Sequence, residues 1–367
     1  MPHGWRAITT LPLAIFLIAD SSGAQDPSHP MFSSKSDVVL VPFHVARGNF
    51  YASDLKPADI ILLEDGRPRP FTIFEGASTS PRTPLELVLL FDTNSHPVTL
   101  PLAAPGVPDI ELWKRESTYS FLPHWDNAAT ASLLEPHGVT VASVYRFDRM
   151  SLQRLSRPTG DPAVFLSALQ RLLTSASGAE TIPIAIPPGR SPGNVENAAK
   201  DRGHNAWTFE AAIGALKDAS SSPAHPLLML VIFSLGLSTT TTTPEDVAQQ
   251  AVALGVPIFP VLLNYPTLDV IEKTPGPRII SPAVRVAVDD FARLGTLTGG
   301  RSFAPATTDV ASLRDILESV KNEGLTQYMV GFVPQSTSPQ PRQHKLEIRL
   351  ASKSVGKLLG GKRTVAY

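Results

Sequence analysis

The feature that most constrains the fold is a series of short, continuous apolar runs separated by helical patterns. The runs are Leu85–Phe91, Val139–Tyr145, Leu227–Phe233 and Val256–Leu263. Unbroken apolar runs of about this length are typical of strands buried on both faces of a sheet. The helical candidates are Ile110–Leu134, Pro162–Leu173, Trp207–Lys217, Pro244–Leu254, Ala287–Leu297 and Val310–Asn322. This alternation predicts an α/β domain with a doubly wound, mostly parallel sheet over residues 84–325.

The segments on either side of this domain predict strands only. Ile60–Leu63 and Phe71–Phe74 flank an Asp65-Gly66 turn, which indicates a hairpin that follows an apolar stretch at Asp37–Val45. Because an isolated hairpin is only marginally stable, we expect it to dock on the strand patterns Gln327–Val333 and His344–Leu350. The resulting division is an N-terminal β unit with linker at 25–83, the α/β domain at 84–325, and a C-terminal β segment at 326–367 that packs with the N-terminal unit.

Residues 1–24 have the pattern of a signal peptide. Arg6 precedes the apolar run Leu11–Ala19, and Ser22 and Ala24 occupy the −3 and −1 positions of a cleavage site. A membrane anchor is the alternative, but this run is much shorter than the roughly 20 apolar residues that span a bilayer. We therefore expect an exported protein, periplasmic or secreted, with no integral membrane span in the mature chain.

Composition narrows the possible partners and chemistries. The chain has 32 Lys and Arg against 33 Asp and Glu, so its formal net charge of −1 gives no global reason to expect nucleic acid as a partner. It contains no Cys, which excludes disulfides, thiolate catalysis and cysteine-ligated metal centres. Any metal must be held by oxygen or imidazole ligands.

Two stretches have the composition of inserted surface loops. Pro97–Pro108 is rich in Pro and Ala, and Thr174–Asn205 combines a Pro-rich part with a polar tract. A loop of about 30 residues inside a compact domain is typically functional or mobile.

In an open doubly wound sheet, ligands bind beyond the carboxyl ends of the strands, where the strand order reverses. The candidate segments are therefore those that follow each strand or precede the next helix. They are Asp92-Thr93-Asn94-Ser95-His96, Arg146-Phe147-Asp148-Arg149, Pro158-Thr159-Gly160-Asp161 and Ser234-Leu235-Gly236.

Four motifs give the chain a resemblance to a known family. They are Leu63-Glu64-Asp65-Gly66, Leu89-Leu90-Phe91-Asp92-Thr93, Gly299-Gly300-Arg301-Ser302-Phe303 and Gln327-Tyr328-Met329-Val330-Gly331-Phe332. With these motifs the chain resembles the von Willebrand factor A-like (VWFA-related) domain proteins of the acidobacterial type. The resemblance covers nearly the whole mature chain.

The resemblance implies a metal-ion-dependent adhesion site (MIDAS) at the strand ends. Such a site needs a D-x-S-x-S turn, a Thr from a second loop and a further Asp, because Mg²⁺ binds about six oxygens. Matched by position, Asp92 keeps the first carboxylate, Asn94 and His96 replace the two Ser residues, and Thr159 supplies the Thr. Leu235 stands where the further Asp is expected.

These departures leave two interpretations of the site. In the first, the metal site is degenerate, no cofactor is bound, and Asp92 remains as a cap on the following segment. In the second, Asp92, Asn94, His96 and Thr159 form a weak site for Mg²⁺ or another divalent cation, with imidazole favouring a transition metal.

No motif points to an enzyme. The chain contains none of the nucleophile-elbow, H-E-x-x-H, Walker or G-x-G-x-x-G patterns, and its nine His residues are scattered. We therefore expect no catalytic residues and a non-catalytic protein that binds a protein partner through strand-end loops, with Asp92, Asn94, Ser95 and Thr159 as contacts. The alternative is a hydrolase in which the insertion 174–205 covers Asp92, Asp148 and His204.

Overall fold

The computed structural model describes residues 38–48, 50–76, 84–94, 98–100, 110–113, 118–135, 140–148, 151–174, 179–183, 207–222, 227–236, 242–263, 282–334 and 342–366. The signal peptide predicted at 1–24 lies outside these ranges, as do Ser95, His96 and His204. Within the described ranges, no helix is both long enough and apolar enough to cross a bilayer.

The described residues form seventeen strands and six α-helices. The strands are β1 Val39–Arg47, β2 Phe50–Tyr51, β3 Ile60–Glu64, β4 Arg67–Pro68, β5 Ile73–Glu75, β6 Leu85–Asp92, β7 Val98–Leu100, β8 Ile110–Trp113, β9 Thr140–Asp148, β10 Ser151–Thr159, β11 Glu180–Ile182, β12 Leu227–Ser234, β13 Ile258–Leu262, β14 Tyr328–Phe332, β15 Gln343–Leu350, β16 Lys357–Gly360 and β17 Lys362–Ala366. The helices are α1 Asn127–Leu134, α2 Pro162–Gln170, α3 Thr208–Ser220, α4 Pro244–Leu254, α5 Pro282–Thr298 and α6 Val310–Leu325.

The central sheet has six strands in the order β11-β10-β9-β6-β12-β13. Strands β9, β6, β12 and β13 run parallel, whereas β10 is antiparallel to β9 and β11 is antiparallel to β10. The chain moves outward on one side of β6 and then crosses to β12 on its other side, so the strand order reverses between β6 and β12. The predicted doubly wound, mostly parallel α/β fold is confirmed.

The two central strands, β6 and β12, are buried along their whole length, as their unbroken apolar sequences predict. Helices cover both faces of the sheet. On one face α6 packs so that Gly324 lies against Leu85 and Met229, next to α1 and α2. On the other face α3 places Asp218 against Tyr145, and α4 and α5 continue that layer.

Helix α4 shows why the sequence signals for helix ends are reliable here. Thr243 caps its N-terminus, Pro244 occupies the first turn, and Asp246 completes a capping box. Gly255 ends the helix with φ 70°, in the left-handed region that glycine adopts without strain.

The terminal segments form two small antiparallel sheets, as expected from the sequence. In one, β1 pairs with β14, β16 and β2, and β14 also pairs with β5. In the other, β15 pairs with β3 and β17, and β3 pairs with β4. Their inner faces share a second hydrophobic core that includes Phe43, Leu62, Tyr328 and Ile348. We call these two sheets the β unit.

The β unit contacts the α/β domain at the end of α6. His44 Nε2 lies 2.6 Å from the main-chain oxygen of Glu323, and Arg301 Nε lies 3.3 Å from Glu323 Oε2. Asp37–Tyr367 clusters as one compact unit, so the division of the chain at residues 84 and 325 stays a prediction.

Four local expectations were wrong. Ile110–Leu134 is not one helix: it begins with β8, and α1 starts only at Asn127. The Asp65-Gly66 turn does join β3 to β4, but the strand at Phe71–Phe74 pairs with β14 in the other sheet. Ser151–Thr159 is a strand that was not anticipated. Part of the insertion 174–205 also forms a strand, β11, at the sheet edge.

Candidate functional site

The strand-end site lies where β6 and β12 finish side by side. Asp92 is the last residue of β6, Ser234 is the last residue of β12, and the preceding residues Phe91 and Phe233 are register partners. Their rings stack with centroids 4.4 Å apart, which fixes the two strand ends relative to each other. This is the crevice in which α/β sheets of this topology bind ligands.

The Asp92 carboxylate is fully buried and accepts hydrogen bonds from protein donors on both oxygens. Its Oδ1 accepts from the backbone N of Asn94 at 3.1 Å and from Asn94 Nδ2 at 2.7 Å. Its Oδ2 accepts from Ser234 Oγ at 2.8 Å. Tyr119 OH also donates to the main-chain oxygen of Asp92 at 2.5 Å. Asp92 therefore holds Asn94, just after β6, close to Ser234 at the end of β12.

Leu235 is fully buried and belongs to the main hydrophobic core. The next residue, Gly236, has φ 82°, and a Cβ there would lie 2.6 Å from Phe291 Cβ. The backbone N of Gly236 donates to Ser234 Oγ at 3.0 Å, so Ser234 links Asp92 to this turn. The position at which the resemblance implies a second carboxylate is thus filled by an apolar side chain packed into the core.

The structure does not bring Thr159 to this site. Thr159 pairs with Ala142 near the start of β9, whereas Asp92 pairs with Phe147 near its end. Five residues of strand separate the two positions along β9, which is about 16 Å at roughly 3.3 Å per residue. The expectation that Thr159 lies beside Asp92 is therefore wrong. Strand β10 runs antiparallel to β9, so its last residue lies at the amino end of the parallel strands, whereas Asp92 lies at their carboxyl end. Thr159 Oγ1 instead accepts from the backbone N of Asp161 at 3.0 Å.

The N-terminus of α3 supplies polar groups that the sequence interpretation missed. Thr208 is the first residue of α3 and is fully buried, and its hydroxyl has no hydrogen-bond partner in the described structure. Glu210, also buried, accepts from Thr242 Oγ1 at 2.5 Å. Thr242 precedes the N-cap residue of α4, the helix that comes after β12 in the chain. The contact therefore places the start of α3 towards the strand ends. A Thr at the start of a predicted helix on the correct side of the sheet is the signal that could have found Thr208.

Position 235 lacks the carboxylate that the resemblance implies for a divalent cation. Mg²⁺ requires an octahedron of oxygen ligands. Usually one or two of them are protein carboxylates and several are waters. Both oxygens of Asp92 are engaged by protein donors, and Leu235 offers none. The described residues contain no group of three or more His, Asp or Glu side chains that could hold a metal.

Two residues of the hydrolase alternative, Asp92 and Asp148, lie on opposite faces of the central sheet. Asp92 is the register partner of Phe147, so Asp148 projects from the opposite face of the sheet. His204 lies outside the described residues. The structure therefore gives no catalytic pair at Asp92 and Asp148.

Comparisons with known proteins give likeness at the level of fold. The sequence matches no family model and no curated protein. Among solved structures, an aerotolerance-related membrane protein from Bacteroides fragilis is 11% identical, with a TM-score of 0.37, over 65% of this chain and 99% of that one.

Two further structures show the same degree of likeness. The PilB minor pilin from Streptococcus sanguinis is 8% identical, with a TM-score of 0.38, over 68% of this chain and 63% of that one. Proximal thread matrix protein 1 from the mussel byssus, described with a zinc-occupied MIDAS motif, is 11% identical with a TM-score of 0.34, over 68% and 47% of the two chains. Likeness of this degree carries no argument about function.

Proposed function

We propose that this chain is an exported, non-catalytic protein-binding or scaffolding protein. Its α/β domain is a von Willebrand factor A-like domain with a degenerate MIDAS, and the β unit supports it. The observation that carries this proposal is the hydrogen bonding of Asp92: Asn94 and Ser234 donate to the carboxylate oxygens that would otherwise face a cation. A carboxylate used in this way stabilises a loop and does not need a metal for charge compensation.

The proposed partner surface is the set of loops beyond the carboxyl ends of the strands. Asp92 and Asn94 are 0% and 1% exposed, so neither side chain can touch a partner directly. Their role is to fix the backbone at the end of β6, next to Ser95, which lies outside the described residues. A rigid scaffold that presents loops in this way is a common arrangement for recognition.

Export rests on the signal-peptide pattern of residues 1–24. The compartment that we propose is the periplasm or the extracellular space, and the partner is a protein. No pattern in the chain indicates nucleic acid.

The test is capture of partners from the exported protein fraction, with the mature chain as bait, in parallel buffers containing EDTA or millimolar Mg²⁺. We expect the same proteins in the same amounts in both buffers. A bait of the same size and charge with an unrelated fold controls for adhesion to the matrix. Loss of a captured protein in EDTA would refute the degenerate-site proposal.

The second candidate is a metal-dependent adhesion module with a weak divalent-ion site at Asp92 and Asn94. Thr159 cannot contribute, but the buried, unpartnered hydroxyl of Thr208 is a feature that favours this candidate. It predicts chelator-sensitive capture and a loss of that capture in Thr208→Val, whereas the first proposal predicts neither.

A further inference from the structure

A polar cavity of about 270 Å³ lies between the paired strands β9 and β10 and the segment that follows α2. Its walls include Arg146 and Asp148 from β9, Ser151 and Gln153 from β10, and Thr93 and Thr174. We propose that this cavity binds a neutral polyhydroxyl ligand of monosaccharide size. The proposal goes beyond partner binding at the strand-end loops, because it concerns a small molecule and a different face of the sheet.

The hairpin register builds the cavity. Asp148 pairs with Ser151 and Arg146 pairs with Gln153, so two cross-strand pairs present their side chains on one face. This is the face covered by α2, opposite the face that carries Asp92 and Ser234. The cavity is therefore separate from the strand-end site, even though both lie at the carboxyl end of the parallel strands.

Arg146 is held in the cavity wall by several hydrogen bonds. Its Nε donates to Gln153 Oε1 at 2.8 Å, and its Nη1 donates to the main-chain oxygens of Leu172 at 3.1 Å and Thr174 at 2.5 Å. These bonds tie the guanidinium to the turn that follows α2. They also fix the side chain before any ligand arrives.

The hydrogen bonds of Arg146 select against an anionic ligand. A guanidinium recognises a carboxylate with two parallel N–H groups on one edge, and Nε is one of the nitrogens that forms such an edge. Here Nε and Nη1 already donate to protein acceptors. A carboxylate ligand would therefore have to displace protein acceptors from the guanidinium.

The remaining wall chemistry matches a neutral ligand with alternating donors and acceptors. Arg146 and Asp148 carry opposite formal charges, and the other polar groups are three hydroxyls and one amide. A ring of hydroxyls can donate to the Asp148 carboxylate and accept from neighbouring N–H and O–H groups. A cavity of about 270 Å³ has room for several water-sized groups, which is the scale of a single sugar ring.

The test is titration of the full chain with D-glucose, D-galactose and D-xylose to about 50 mM, followed by calorimetry or by amide chemical shifts. Glycine and glutamate, which carry carboxylates, are the control ligands. We expect at least one sugar to saturate a single site with millimolar affinity and neither amino acid to bind. Saturation by an amino acid with none by a sugar would overturn the proposed ligand class, and no saturation by any probe would overturn the proposal.

Two variants locate the binding. Ser151→Trp fills the cavity and should abolish saturation, and Asp148→Asn replaces a pure acceptor and should weaken binding at least about tenfold, as losing a charge-assisted hydrogen bond does. The matched control is Arg157→Trp, an exposed position on the same strand outside the cavity, which should bind as the parent does. If Ser151→Trp fails to fold, Asp148→Asn still decides the matter. Parental affinity in Asp148→Asn would contradict the assignment.

Discussion

Two buried carboxylates on β6 differ in how their oxygens are satisfied. Asp92 accepts hydrogen bonds on both oxygens, whereas Glu86 accepts from Ser143 Oγ at 2.7 Å on one oxygen and has no hydrogen-bond partner for Oε2 in the described structure. Burial raises the pKa of Glu86 and outweighs the Ser143 hydrogen bond and the Arg154 charge, which lower it. The pKa of Glu86 therefore lies above that of an exposed glutamate.

Because the pKa of Glu86 is raised, we expect the free energy of unfolding to fall as the pH rises. Because its pKa is higher in the folded than in the unfolded state, the folded state binds more protons, and the free energy of unfolding decreases from the unfolded pKa upward through the folded pKa. Glu86→Gln removes this titration. We expect the variant to be more stable than the parent by about 1 kcal/mol at pH 8 and to lose that advantage below pH 5.

The measurement is urea denaturation of parent and variant between pH 5 and 8. Glu135→Gln, an exposed change of the same type, controls for altered net charge and should give parallel curves. A Glu86→Gln variant that is less stable than the parent at pH 8 would show that the carboxylate is ionised and paired.

At this scale the sequence predicted that Asp92 and the Ser234-Leu235 pair lie at strand ends, and the structure places them there. That an acid has been lost at position 235 stays a prediction from the resemblance. The sequence could not predict where Thr159 lies, because its position depends on the direction in which β10 runs beside β9. Nor could it predict that Ser234 donates to Asp92, since this contact joins residues 142 positions apart.

At the scale of elements, the Gly299-Gly300 pair explains a motif that carried the family resemblance. Gly299 has φ 85°, and a Cβ on Gly300 would lie 2.2 Å from the main-chain oxygen of Ile258 at the start of β13. The pair lets the following segment approach β13 closely enough for Phe303 to bridge to Val261. The motif is thus explained by backbone contact and needs no ligand.

We expect Gly300→Ala to destabilise the fold by about 2 kcal/mol or more, because backbone atoms must move apart to admit the methyl group. The matched control is Gly160→Ala, where the nearest atom to the new Cβ is 3.6 Å away. Thermal unfolding followed by circular dichroism compares the two. Equal melting temperatures for both variants would contradict the close approach.

Element types and helix ends were predictable where local chemistry determines them, as at Thr243, Pro244 and Gly255. Strand β10 was not, because its sequence is polar on one face and contains Pro158 near its end. Its place in the sheet depends on tertiary pairing with β9, which no local pattern encodes.

At the scale of the whole molecule, the two hydrophobic cores are joined by one continuous stretch of chain. Helix α6 packs on the central sheet and leads directly into β14, which pairs with β1 in the β unit. Phe43 on β1 stacks on Tyr328 of β14 with ring centroids 5.6 Å apart, at the centre of the second core. Loss of packing there should therefore reach the α/β domain.

We expect Phe43→Ala to destabilise the chain by about 3–5 kcal/mol, the usual cost of truncating a buried aromatic side chain. Differential scanning calorimetry should show one transition displaced as a whole. Phe71→Ala, a partly buried position at the margin of the same core, should displace it less. Two separated transitions, with only the lower one moved, would show that the β unit unfolds independently.

In the function proposed here, the Asp92 carboxylate stabilises the backbone at the strand ends and does not hold a cation. Calorimetric titration of the mature chain with Mg²⁺, Mn²⁺ and Zn²⁺, paired with melting temperatures in each ion and in EDTA, tests this role most directly. We expect no saturable heat at the strand ends and the same melting temperature in every buffer, because a ligand bound only by the folded state would raise the melting temperature. A saturable signal that Ser234→Ala retains and Asp92→Asn abolishes would contradict this role.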